Sequence, residues 1–234
     1  MNEELIRDRT LAIQETVDRA AARSGRSGSD VVVLPVTKGH PPGVLVAVAA
    51  AGFGAIGENR VTEAEAKLAE IGRRGLRWRM VGHLQRNKAR RAIDVFDAIE
   101  SVDSLRLARR LHSEAEKADR ASVSILAQVN AGGEAQKNGL DPAETVDAVG
   151  AMLDLGRVRV EGLMTMAPFT SDETVLRRTF RVARECLARC QAELTGFDGH
   201  TLSMGMSNDF EFAVEEGSTE VRLGTVLLGE RPEV

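Results

Sequence analysis

The sequence predicts an α/β fold: a (β/α)8 TIM barrel preceded by an extra N-terminal helix. Three observations predict it. Short apolar segments alternate with helical ones, which implies a parallel sheet. The clearest segment, Val31-Val32-Val33-Leu34-Pro35-Val36, is an aliphatic run that reads as a strand buried on both faces. The length, 234 residues, suits eight such units closed into one barrel. An open doubly wound sheet is the alternative, because the second and fourth strand segments are weakly signalled.

In chain order, residues 2–24 carry Leu5, Ile6, Ile13 and Val17 at near-helical spacing and form an amphipathic helix laid on the domain. Gly25-Arg26-Ser27-Gly28-Ser29 breaks it. The first strand then runs to Thr37 and Lys38, with Pro35 a blemish because proline cannot donate to a ladder. A turn at His40-Pro41-Pro42 leads to a very apolar helix over 44–51 and a second strand over 53–56, followed by Gly57-Glu58-Asn59-Arg60. Gly52, Gly54 and Gly57 match a dinucleotide fingerprint in letters only. There the strand should precede the glycines and a helix should open within them, and here the order is reversed.

A helix over 61–72 with early glutamates precedes the third strand, 77–81. Arg86, Lys88, Arg90 and Arg91 then form a basic cluster, read as a solvated helix face. The fourth strand is 97–101 and a helix covers 105–117. The fifth strand, 122–130, ends in a long polar loop. Asp141-Pro142 opens a helix as cap and first residue. The sixth strand is 158–163, followed by a long helix over 172–194 and a seventh strand over 200–203. A helix over 210–216 and an eighth strand over 219–223 complete the set. No linker or repeat interrupts the chain, so residues 1–234 read as one domain.

Composition excludes several functions. A net charge of −4 and 3% aromatic residues argue against a nucleic-acid partner. No apolar run approaches a membrane span and the first ten residues are too charged for a signal peptide, so no membrane partner and a cytoplasmic location are expected. The histidines are scattered, and Cys186 and Cys190 alone do not make a zinc site, so no metal is expected. Tyrosine is absent, which removes the phenol from any proton-transfer scheme.

In a barrel of this kind chemistry collects at the carboxyl ends of the strands, with phosphate beside strands seven and eight. The strand ends supply Lys38, Asn59, His83, Asn130, Met164 and Met166. The phosphate corner supplies Gly205, Ser207, Gly224 and Thr225, with Ser207 at the start of a helix. An amine facing an anion seat suits a ligand with an aldehyde at one end and a phosphate at the other, such as pyridoxal 5′-phosphate (PLP). Arg222, ending the eighth strand, would point to the same mouth, either in a strand-end salt bridge or with its guanidinium donating to the pyridine nitrogen. A guanidinium holds its proton too firmly to protonate a pyridine nitrogen, so the ring would be a poor electron sink.

Pro35-Val36-Thr37-Lys38, Gly57-Glu58-Asn59-Arg60, Gly82-His83-Leu84-Gln85-Arg86-Asn87-Lys88, Glu134-Ala135-Gln136-Lys137-Asn138-Gly139, Gly162-Leu163-Met164-Thr165-Met166, Ser203-Met204-Gly205-Met206-Ser207 and Val221-Arg222-Leu223-Gly224-Thr225 resemble the pyridoxal phosphate homeostasis proteins, single-domain relatives of the alanine racemase amino-terminal barrel. The resemblance spans nearly the whole chain. It implies PLP held as a Schiff base on Lys38, Arg222 facing the pyridine nitrogen, and Ser207, Gly224 and Thr225 on the phosphate. It places Asn59, His83, Met164 and Met206 near the ring. Three departures stand out: Arg79 where the family often has histidine, Gly39 for a common threonine, and Asn208 for a frequent aspartate.

The resemblance implies a regulator and carrier of PLP with no catalytic residue, whose partners are PLP and PLP-dependent apoenzymes. The residues are expected to agree: two-base racemases of the related kind use a tyrosine opposite the lysine and carry a second, β-rich domain, and the sequence has no tyrosine and reads as the barrel alone. A racemase or lyase acting on an amino acid, with His83 or water as the second group, is the alternative. A PLP-free barrel enzyme acting on a phosphorylated substrate is a third. A monomer is expected, since no apolar surface stripe stands out.

Overall fold

The computed structural model describes residues 3–134 and 138–231; residues 135–137 of the 134–139 motif lie outside them. Eight parallel strands form one sheet: β1 (Val32–Pro35), β2 (Ala55–Glu58), β3 (Arg77–Met80), β4 (Ala98–Val102), β5 (Val123–Gln128), β6 (Val158–Met164), β7 (Thr201–Ser203) and β8 (Glu220–Leu223). Their order is β1-β8-β7-β6-β5-β4-β3-β2. The sheet closes where Val36 bridges Gly57 and the Thr37 amide donates to the Gly57 carbonyl. The helices are α1 (Glu3–Arg23), α2 (Gly43–Ala50), α3 (Val61–Ile71), α4 (Ala89–Val95), α5 (Leu105–Lys117), α6 (Thr145–Leu153), α7 (Glu173–Glu193), α8 (Phe210–Glu215) and α9 (Thr225–Leu228). None of these is long and apolar enough to cross a membrane. The (β/α)8 barrel with a leading helix is therefore observed, and the open sheet is not.

The β1–β2 seam explains Pro35. Amides of Val32 and Val36 donate to the β8 side, at Thr219 and Leu223, while Thr37 donates to β2. By strand alternation Pro35 faces β2, where no ladder forms below the single bridge, so its missing donor is not needed. The expected burial of β1 on both faces holds only for its second half: Val32 is 53% exposed at the amino-terminal end of the strand.

Strand alternation divides the core. Ile56, Trp78, Met80, Ile99, Val221 and Leu223 pack outward in the layer beneath the helices. Arg79, Glu100, Glu220 and Arg222 take the intervening positions and meet inside the barrel. Leu34, Val36 and Val81 form a small separate apolar cluster nearer the rim. α1 lays Ile6, Ile13 and Val17 on the core as its spacing requires, and Leu5 stays 44% exposed.

Several boundaries differ from the sequence reading. β2 begins at Ala55, two residues late, because its register with Arg77 on β3 sets the start. Asp141 does not cap α6: its carboxylate takes the Ala143 amide in a turn, and the helix starts at Thr145. Met164 lies inside β6, not beyond it. Ser207 is three residues ahead of α8, and α9 is an added turn of helix after β8. Arg90 and Arg91 of the basic cluster are matched by Asp94 and Glu65, as a solvated face should be.

Candidate functional site

At the carboxyl rim a cavity of about 340 Å³ opens between β1, β2, β6, β7 and β8. That is near the small end of the range for small-molecule sites. Lys38 reaches it because Leu34, Val36 and Lys38 alternate onto the inner face of β1. Among the described residues the Lys38 amine has no hydrogen-bond or ion-pair partner. Burial, then Arg231 and Arg222, lower its pKa, with Glu63 opposing. A larger share of amine is therefore unprotonated near neutral pH, as a nucleophile toward an aldehyde requires.

Across the mouth, Ser207, Gly224 and Thr225 line the same cavity. The turn that carries Ser207 is shaped by Asp209, whose carboxylate accepts the Met206 amide at 2.6 Å. Gly205 enters this turn at φ +97°, and a Cβ there would stand 2.6 Å from the Ala213 methyl, so glycine is needed. Ser207 Oγ accepts from the Val226 amide at 3.4 Å. The hydroxyl thus belongs to the start of α9, not of α8 as the sequence suggested.

Arg222 is buried beneath the cavity and lines it. Its Nη1 donates to Ser203 Oγ at 2.7 Å and its Nη2 to the Thr165 carbonyl at 2.8 Å. Ser203 in turn donates to Glu100 Oε2 at 3.0 Å. Arg79 bridges Glu100 and Glu220, so two guanidiniums and two carboxylates share the barrel floor. Burial, then Glu100, pushes the Glu220 carboxyl up to about 8, against the pull of Arg79. Burial lowers the Arg222 pKa while Glu100, Glu220 and Asp209 oppose it.

Of the residues expected from sequence, Lys38, Asn59, Met206, Ser207, Arg222, Gly224 and Thr225 converge here, with Met166. His83 does not. β3 ends at Met80, Val81 takes the inward position, and His83 turns out to place Nδ1 3.1 Å from Asp103 Oδ2, half exposed. Met164 lies two residues short of Met166 and is fully buried in β6 between Gln128 and Ser203. Sequence reasoning missed His40 and Arg231 at the rim, and the Pro168–Thr170 lip on which Phe169 stands 93% exposed. Nothing in their local pattern signals a site.

The alanine racemase N-terminal domain model matches residues 10–232. A pyridoxal phosphate homeostasis protein of Aquifex aeolicus is 36% identical over 224 residues, 96% of this chain and 97% of that one. The chain belongs to the pyridoxal phosphate homeostasis protein family. The family member from Escherichia coli K12 is likewise 36% identical, over 94% of each chain. Among solved structures, PipY of Synechococcus elongatus with PLP bound superposes with a TM-score of 0.83 at 36% identity, covering 96% of this chain and all of PipY. Arg79, Gly39 and Asn208, the three expected departures from the family pattern, have distinct places in this structure. Arg79 sits on the barrel floor and Asn208 lines the cavity. Gly39 follows Lys38 at φ +72°.

Proposed function

We propose that this chain binds pyridoxal 5′-phosphate through Lys38 and acts in cytoplasmic PLP homeostasis as a carrier, with no defined reaction of its own. One observation carries the reading: the Lys38 amine, which has no partner among the described residues, and the Ser207, Gly224, Thr225 corner line one small cavity. PLP supplies an aldehyde for such an amine and a phosphate for such a corner. Ser207 and the backbone at Gly224 and Thr225 would hold the phosphate, Arg222 would face the ring nitrogen, and Asn59 and Met206 would flank the ring. The names of the curated relatives and the PLP in PipY support the assignment.

The preference for carrier over racemase rests on proton transfer. The chain has no tyrosine, and His83, the substitute, stands outside the cavity and beside Asp103. Arg222 keeps its protons and leaves the ring without an acid at its nitrogen. PLP-dependent apoenzymes are the proposed recipients, and a monomer the proposed state.

The test is spectral and chemical. Purified protein should show a near-visible band that borohydride bleaches, with the added mass on the Lys38 peptide, and Lys38→Ala should lack both. A label on another residue, or none, ends the reading. Loss of optical activity of L-amino acids at about 1 per second or faster, absent in Lys38→Ala, would favour the enzyme instead.

A further inference from the structure

A second lysine lies behind Lys38, on the side of β1 turned toward α3. Lys67 is 3% exposed. Its amine donates to the Thr37 carbonyl at 2.7 Å, to Glu58 Oε1 at 2.6 Å and to Glu63 Oε1 at 2.9 Å. An ammonium has three donors, so the set is complete. Both carboxylates are tied in turn to the residues flanking Lys38. Glu58 accepts from the Thr37 hydroxyl, and Glu63 from the Gly39 amide. One cluster, buried at Lys67 and Glu58 and partly exposed at Glu63, therefore grips the peptide units before and after Lys38. Gly39 adopts φ +72° under the Arg231 side chain, which would lie 2.7 Å from a Cβ there.

The cluster also has an electrostatic consequence. Buried charges are a costly brace, and apolar packing serves as well where only rigidity is needed. Glu63 is the carboxylate that opposes the lowering of the Lys38 pKa, and Lys67 is bound to it. Burial alone would raise Glu63, but hydrogen bonds from Lys67 and Gly39 outweigh it and hold the carboxyl low. Glu58 is raised by burial despite Lys67. Among the described residues, the other groups around Lys38 are Arg222 from β8, Arg231 and His40 at the rim, and Asp209 from the turn before α8. Arg60, ahead of α3, acts on Glu63.

We propose that Lys67 is a positioning residue for Lys38. It anchors the peptide units on both sides and occupies Glu58 and Glu63, so that neither carboxylate pairs with the Lys38 amine. The proposal rests on Lys38 being the point of PLP attachment.

The full chain, freed of bound PLP, is mixed with PLP at a series of pH values from about 6 to about 10. The growth of the near-visible band and the borohydride-trapped label on Lys38 give a pH midpoint for capture. Lys67→Met should move that midpoint about one unit alkaline, slowing capture at neutral pH about tenfold. Lys67→Arg, which keeps the charge, should return it toward the unaltered chain. Glu63→Gln should move it in the acid direction, and this variant serves if Lys67→Met does not fold. Folded variants that lose only affinity or melting temperature, with midpoints unmoved, make the cluster a structural brace and overturn the inference. Absence of label on Lys38 in the unaltered chain overturns the site reading and this inference with it. Label there with unmoved midpoints overturns the inference alone.

Discussion

Lys38 and Lys67 approach the end of β1 from opposite faces, one without an acceptor among the described residues and the other with three. Strand alternation separates them: Leu34, Val36 and Lys38 face the barrel mouth, while Thr37 faces Glu58 and α3. The lesson is that availability for chemistry is set by what a group lacks. Lys67 has all three of its donors taken up. Lys38 is left over, in a cavity whose other charges are mostly of its own sign.

The sharpest way to break this contrast is to delete each lysine and measure folding. Lys67→Ala strands Glu58 in the core and should cost about 3 kcal/mol or more of unfolding free energy in urea. Lys38→Ala should change it by about 0.5 kcal/mol or less. Equal losses would erase the distinction.

The barrel floor offers a second paired region to set against the mouth. Glu220, raised from 4.5 to about 8, binds a proton when folded that it releases when unfolded across that interval. Its contribution is therefore full below about 4.5 and is lost as pH rises through about 8. Melting temperature should therefore fall as pH rises from 5 to 8, which thermal scans across that range would show. Glu220→Gln should flatten that slope, and an unchanged slope would assign it to other groups.

At the mouth itself, Ser207→Ala removes one neutral hydrogen-bonding group and should weaken PLP binding about fivefold, near 1 kcal/mol. His83→Ala, outside the cavity, should leave capture within about twofold. A large loss in the His83 variant would return that residue to the site.

Much of this was legible in the order of residues. β-branched runs and breakers marked the strands, and the strand ends supplied seven of the residues that line the cavity. His83 follows β3 by only three residues yet does not line the cavity, because the strand alternation has already stopped at Val81. Ser207 lines the cavity, but its hydroxyl meets α9 and not α8, since its partner Val226 is nineteen residues away in sequence. Arg79 stood out only as a departure from a family pattern. Its role depends on Glu220, 141 positions later.

The sequence by itself determined the alternation of strands and helices, the inward facing of Lys38, and the glycines that let the rim turn. These are local properties, carried by periods of two and 3.6 residues and by backbone sterics. Only the tertiary structure decided which lysine is neutralised, where the Ser207 hydroxyl points and which charges share the barrel floor. An ion pair depends on what a neighbouring strand or helix presents within a few ångströms, and closure of the barrel sets those neighbours.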